Sequence, residues 1–299
     1  MGSASDYWTF LHLNNVGEVR SRLNSTIQSF IDDEFTELIT RATHDDRFPH
    51  KAIQTQLFAT MQSAAIGLES ANSAPAQLSL RCYISQQIVQ TCYALAQQFG
   101  AYYHFDRTDL LLLVLNDNGN PFPTEELVYN SKTKQSIPPY KSTAQTILEK
   151  YHPSKSTLAT WVKRLIRQHS DITEFLLDRG LYLVSDWAIL NDTTASQLYR
   201  ILTQQYDWQT AQANTACYLL ESYHEVYRLT HVPATRCQPP SDDAWKAMAQ
   251  LFQTKSDRPI TPIFFSEQLA QISLKLRQHR IRARGEMFLA SPNRFLRKP

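Results

Sequence analysis

Leu80 to Phe99, LRCYISQQIVQTCYALAQQF, decides the fold class. Ile84, Ile88, Cys92, Leu95 and Phe99 return every three or four residues, the repeat of one helix face and not the two-residue repeat of a strand. Gly100 follows, a residue suited to close a helix. The same spacing recurs outward. In Glu18 to Ala42, the residues Val19, Leu23, Ile27, Ile31, Phe35 and Ile39 step by four, and a further helix is expected from His50 to Glu69. Alternating runs of β-branched residues are nearly absent, so the expectation is an all-α, multi-helical protein.

Toward the C-terminus, Asp106 reads as a helix N-cap with Asp109 three residues on, opening an apolar helix over Leu110 to Leu115. Asn116 to Pro123 ends it, because Asn-Gly and two prolines cannot continue a helix, and residues 116–140 read as a loop or insertion. Further helices are expected over Ser142–Lys150, Thr157–His169, Ile172–Arg179, Ser185–Leu190, Thr194–Tyr206, Trp208–Leu229, Asp242–Phe252 and Ser266–Arg284. Thr230 to Ser241, with three prolines, reads as a linker. The expected segments are therefore 1–79, an N-terminal helical region; 80–170, a helical core; 171–232, a second helical domain; and 233–299, a linker and basic C-terminal module.

The 299 residues can bury one large or two small cores, and no apolar run approaches the roughly 20 residues of a membrane span. The first ten residues show neither the basic nor the apolar part of a secretory leader, so a cytoplasmic protein is expected. Only seven glycines are present, and neither G-x-G-x-x-G nor G-x-x-x-x-G-K-[ST] occurs, which argues against Rossmann and P-loop nucleotide sites. The four cysteines form no C-x-x-C pair and read as reduced core residues. Asp32-Asp33-Glu34 and Asp242-Asp243 read as solvated caps or faces, and His224 as a packed histidine. No metal site, cofactor or catalytic residue is expected.

Charge is unevenly spread. Lys275 to Pro299 carries eight basic residues against Glu286, leaving 22 basic and 27 acidic residues, a net of −5, in residues 1–274. Arg280, Arg282 and Arg284 on the last helix are thus candidate phosphate contacts. A second basic stretch, Tyr151 to Gln168 (YHPSKSTLATWVKRLIRQ), lies inside the acidic body: from Lys150 to His169 there are five cations and no acid. On a helix, Leu158, Trp161, Leu165 and Ile166 would face a core, with Lys163, Arg164 and Arg167 opposite. Cations beside an aromatic ring suit phosphates and unpaired bases, so Lys155, Trp161, Lys163, Arg164 and Arg167 are candidate DNA contacts.

These residues resemble a family. Ser156-Thr157-Leu158-Ala159-Thr160-Trp161, preceded by Tyr151-His152-Pro153 and followed by Arg164, is similar to region 2.3 of bacterial sigma-70 factors, where an aromatic-Asp-Pro precedes S-T-Y-A-T-W-W and an Arg. The resemblance implies a helix that recognises and melts promoter DNA, Trp161 as the stacking residue and the cations as phosphate contacts. Asp109-Leu110 resembles the D-L opening region 2.2, which implies RNA polymerase core as a partner at these two residues. Leu158 and Val162 depart from the family's aromatics, Leu111-Leu112 from its Gln-Glu. With Leu177 to Asp192 behind it, the chain resembles cyanobacterial sigma-like regulators such as the heterocyst regulator HetZ.

Ser185 to Tyr206 can be laid on a helix-turn-helix, with Asn191 to Thr193 as the turn, Leu198 and Ile201 buried, and Ser196, Gln197 and Arg200 presented to DNA. Thr173 to Tyr199 also resembles the C-terminal part of tyrosine recombinases, with Tyr199 as nucleophile. Asn191-Asp192 replaces that family's Gly-His, and Tyr199 falls about two residues early. The function expected is a non-enzymatic, DNA-binding transcription regulator. The alternatives are a module that binds another regulator, and a recombinase-like strand-exchange protein. Residues 1–79 are open to a covering role or to a homodimer contact.

Overall fold

The computed structural model describes residues 3–42, 48–65, 72–120, 128–130, 135–137, 140–230 and 237–289. The protein is mostly helical, as the apolar spacing requires, and divides into two compact units, 1–173 and 174–299.

The first unit is built around α3 (Ser73–Leu95). One buried face was expected, but α3 is buried almost all round, from Leu80, Ile84 and Ile88 to Arg81, Ser85 and Thr91. The reason is the number of elements packed against it: β1 (Thr9–Leu13), α1 (Ser25–Ala42), α2 (His50–Ala65), α5 (Arg107–Val114), α6 (Thr143–Glu149) and α7 (Leu158–Arg167). A single π-turn, Ala96–Gly100, and α4 (Ala101–Tyr103) carry the helix past Gly100 to His104, whose φ of 54° ends it. Gly100 is required for another reason: a Cβ there would stand 2.3 Å from the carbonyl oxygen of Phe105. The helix expected at 18–42 is a correction. Val19 to Leu23 form β2, antiparallel to β1 with Phe10 opposite Arg22. The cause is local: the Asn14 side chain accepts from Val16 N (3.1 Å) and Glu18 N (2.8 Å), and Gly17 takes φ +79°. Asn24 then accepts from Ile27 N at 3.1 Å, starting α1, so only Ile27, Ile31 and Phe35 of the expected stripe are buried. β1 lies against α3 with Leu11 N donating to Ser85 Oγ (3.0 Å) and Gln86 donating to Thr9 O (3.0 Å), which satisfies its edge.

Asn116 to Asn120 is held by charge. Arg81, with 2% of its side chain exposed, forms a bidentate pair with Asp117, 6% exposed, through Nε at 2.8 Å and through Nη2. Arg81 Nη1 also donates to Asn120 O at 2.7 Å, and Gly119 N donates to Asp117 at 3.0 Å. Within the expected insertion, β3 (Val128–Asn130) and β4 (Gln135–Ile137) pair as a short antiparallel ribbon. Burial pushes the Cys82 and Cys92 thiols up to about 12, in keeping with unreactive core residues.

The end of α8 (Ser170–Asp178) leads into the second unit, with Gly180 at φ +79° closing the helix. There α9 (Asp186–Asn191), α10 (Ala195–Gln205), α11 (Thr210–Thr230), α12 (Asp242–Ser256) and α13 (Pro262–Leu289) share one core of Ile189, Leu198, Leu202, Leu220, Tyr223, Met248, Phe265 and Leu269. α12 and α13 therefore join this core, through side chains from Ala244 to Leu276. α13 begins at Pro262, four residues before the expected start, because Thr261 accepts from Phe264 N at 3.2 Å and proline suits the first helical position.

Two outcomes are expected in urea unfolding. Arg81→Met leaves Asp117 buried without its counter-charge and lowers stability by about 3–5 kcal/mol, whereas Gly100→Ala, which forces Phe105 aside, costs about 1–3 kcal/mol.

Candidate nucleic-acid interface

α7 is positioned at its N-terminal end. Thr157 caps it, accepting from Thr160 N at 3.3 Å, and the buried Gln54 of α2 accepts from Leu158 N at 3.3 Å. Before it, the Tyr151 ring meets Phe58 edge-on at 5.3 Å and donates its hydroxyl to Ser156 O at 3.3 Å. Leu158, Val162 and Ile166 are fully buried. Two of these, Leu158 and Val162, stand where the sigma-70 motif has aromatics, so on this helix those positions belong to the core. Trp161 and Leu165 lie half-buried at the rim. The Trp161 indole donates to Ile147 O at 3.1 Å, and the Arg164 guanidinium sits 4.4 Å from its ring centre. The ring expected to stack on bases is thus held edge and face, and it orients Arg164 instead.

Lys155, Lys163, Arg164 and Arg167 are all exposed, and none forms an ion pair with a described residue. Arg164 and Arg167 also lie in the last turn of α7, where cations meet the negative end of the helix. Elsewhere several cations are engaged: Lys141 with Glu149 at 2.9 Å, Lys255 with Glu225 at 2.8 Å, and Arg81 internally.

Over the segment laid on a helix-turn-helix, α9 is followed by a turn through Asp192 and Thr193 and then by α10. Thr194 and Gln197 form a reciprocal capping box, with Gln197 N to Thr194 Oγ1 at 3.2 Å and Thr194 N to the Gln197 side chain at 3.0 Å. Ser196, Gln197 and Arg200 are exposed, while Leu198 and Ile201 are buried. Gln197 and Ser196, whose hydroxyl lies 3.1 Å from that of Thr194, help to close the helix start. α9 packs on α13, and α10 packs on α11 and α13.

The basic C-terminal helix proves different from its sequence reading. Arg277 donates to Tyr182 O, Val184 O and Asp186. Arg280 binds Asp192 at 3.0 Å and donates to Thr193 Oγ1 at 3.1 Å, so it holds the turn and is not available as a phosphate contact. Arg282 and Arg284 are exposed but lie over rings, 5.4 Å from Tyr206 and 5.0 Å from Tyr182. These contacts pair with α9 and α10 because α13 is the support for both.

Asp109 and Leu110, the expected polymerase contacts, have structural duties. Asp109 completes the capping box, accepting from Asp106 N at 3.0 Å, and Leu110 is 0% exposed in the core. The leucine of α5 that faces outward is Leu112, 59% exposed. The hairpin turn approaches it at Gly17, where a Cβ would stand 3.8 Å from Leu112, and Val16 of that turn is exposed as well. Tyr199 is half-buried against the second core, and no described hydrogen bond brings an Arg or His to its hydroxyl. Among the described residues no group of three His, Cys, Asp or Glu could hold a metal, and no helix is long and apolar enough to cross a membrane. No protein family, curated protein or solved structure matches the chain.

Two histidines were not singled out as titrating groups, and burial gives both the same behaviour. His50 lies 2.9 Å from the Tyr7 hydroxyl, and His224 lies 2.9 Å from Leu190 O; burial lowers both from the ordinary 6.5. The fold therefore favours the neutral rings, while the unfolded chain takes up protons first. Stability from these two groups is full above pH 6.5 and is lost as pH falls below it toward the lowered values. Urea midpoints measured from neutral to mildly acidic pH should fall more steeply for the parent protein than for His50→Gln/His224→Gln.

Proposed function

We propose that this protein is a DNA-binding transcription regulator, non-enzymatic and sigma-like in its α7 motif, that grips promoter DNA through Lys155, Lys163, Arg164 and Arg167. The observation that carries this reading is the exposed, unpaired cationic face of α7 within an otherwise acidic body. Such a face releases counterions when it meets phosphates, giving affinity that weakens with salt. Ser196, Gln197 and Arg200 at the start of α10, with Arg282 and Arg284, are the second candidate surface. Each unit would bring its own contacts to the nucleic acid.

Trp161 serves this reading as a positioning residue. Its ring keeps the Arg164 guanidinium from sweeping freely, which lowers the entropy lost when a phosphate is bound. With Leu158 and Val162 in the core, the helix has few free aromatics to hold unpaired bases, and the reading favours duplex binding over strand melting.

Fluorescence anisotropy with labelled duplex and single-stranded DNA tests the proposal. Arg164→Glu/Arg167→Glu should weaken duplex binding at least about 10-fold and reduce the slope of log K against log salt by about 2. Unchanged affinity with an unchanged slope sinks the α7 interface. A second reading, a module that docks on RNA polymerase core or another regulator, is favoured by the exposure of Leu112 on α5. Leu112→Glu should abolish capture of that partner without altering DNA affinity.

A further inference from the structure

The second unit carries a half-open groove of about 450 Å³ between the start of α11 and α13, with the segment joining α12 to α13 at its rim. Its floor is apolar, made by Leu219 of α11 and Ile272 of α13, both buried in the core. Trp208 lines one side, and its backbone is anchored there by Trp208 N donating to Leu202 O at 3.1 Å. Besides Thr215, whose hydroxyl donates to Ala211 O at 2.9 Å, three longer polar side chains line the groove: Gln212, Gln268 and Arg258. None of the three makes a hydrogen bond or ion pair with another described residue. Asp257, in the left-handed conformation at φ 54°, ends α12 and precedes Arg258 at the groove's rim.

We propose that this groove binds a small organic anion with a flat, apolar body. The volume lies within the roughly 300–1,000 Å³ typical of small-ligand sites, which combine an apolar lining with a few polar groups that fix orientation. Here the flat body lies on Leu219 and Ile272 beside the Trp208 ring, and the carboxylate or phosphate meets the Arg258 guanidinium, whose planar fork matches such oxyanions. Gln212 and Gln268 supply amide donors and acceptors around the anion. A cation would meet an unpaired guanidinium, and a neutral ligand would leave it unanswered, so the charge of the site selects the class. The site is independent of the α7 reading, since its residues lie in the other unit and contribute nothing to that face.

The test uses two probes of one shape, 2-naphthoate and neutral 2-naphthamide, titrated into the full chain by calorimetry. The naphthoate should bind saturably and at least about 10-fold more tightly than the amide, the margin of a charge-assisted hydrogen bond. Arg258→Gln should erase that preference while the amide's weak binding persists. Gln268→Ala should weaken the naphthoate, and far-ultraviolet circular dichroism should show both variants folded. Absence of saturable naphthoate binding up to about 1 mM overturns the proposal. Equal binding of the two probes overturns it, and so does a preference that survives in Arg258→Gln.

Discussion

The buried pair between Arg81 and Asp117 is the constraint on which the first unit rests. A guanidinium inside a helix that is covered on nearly every side is tolerable only when its charge is neutralised and its donors are engaged, and Asp117 with Asn120 O supplies the counter-charge and three acceptor contacts. The consequence runs in both directions. The loop after α5 is fixed to α3 by charge where its sequence alone would leave it free, and α3 can accept packing from many elements because its one buried cation is neutralised from that loop. The second unit repeats the device nearer the surface. Arg277 and Arg280 reach from α13 to the backbone and side chains of residues 182–193, an irregular stretch with a short helix. A chain with seven glycines has little recourse to special backbone geometry, and side-chain anchors of this kind stand in for it.

The same sorting separates cations that hold the fold from cations free to act. Counting charges along the sequence gives the C-terminal helix the greatest basic density, yet Arg277 and Arg280 are engaged internally and Arg282 with Arg284 lie over tyrosine rings. The α7 cluster is smaller and forms no ion pair with a described residue, although Arg164 lies over the Trp161 ring. A partner's phosphates compete with no internal carboxylate there, so association would cost little rearrangement of this helix.

What the sequence disclosed depended on how local the determining physics is. Capping is local: Asp106 with Asp109, and the two-faced pattern of α7, were both legible because a few adjacent residues settle them. The hairpin at residues 9–23 was not, since Val19 and Leu23 fit a helical stripe by chance. The contrary signal, Asn14 and Gly17 with Asn24 inside the stripe, is turn and cap chemistry and not periodicity. The all-round burial of α3 and the placement of Leu110 in the core depend on elements distant in the chain, which spacing does not encode. The roles of Trp161 and Arg280 were hidden for the same reason, because the groups that hold them, Ile147 O and Asp192, are 14 and 88 positions away in sequence.

Gln54 joins parts of the first unit that sequence separates widely: it donates to the Tyr7 hydroxyl at 3.2 Å and accepts from Leu158 N at 3.3 Å. A transient opening that peels Tyr7 from the aromatic cluster with Tyr83 therefore also disturbs the amide that secures the first turn of the cationic helix. In hydrogen-exchange terms the chain's opening segment and the Leu158 amide belong to one cooperative foldon, and deuterium uptake at Leu158 reports on the docking of residues some 150 positions earlier.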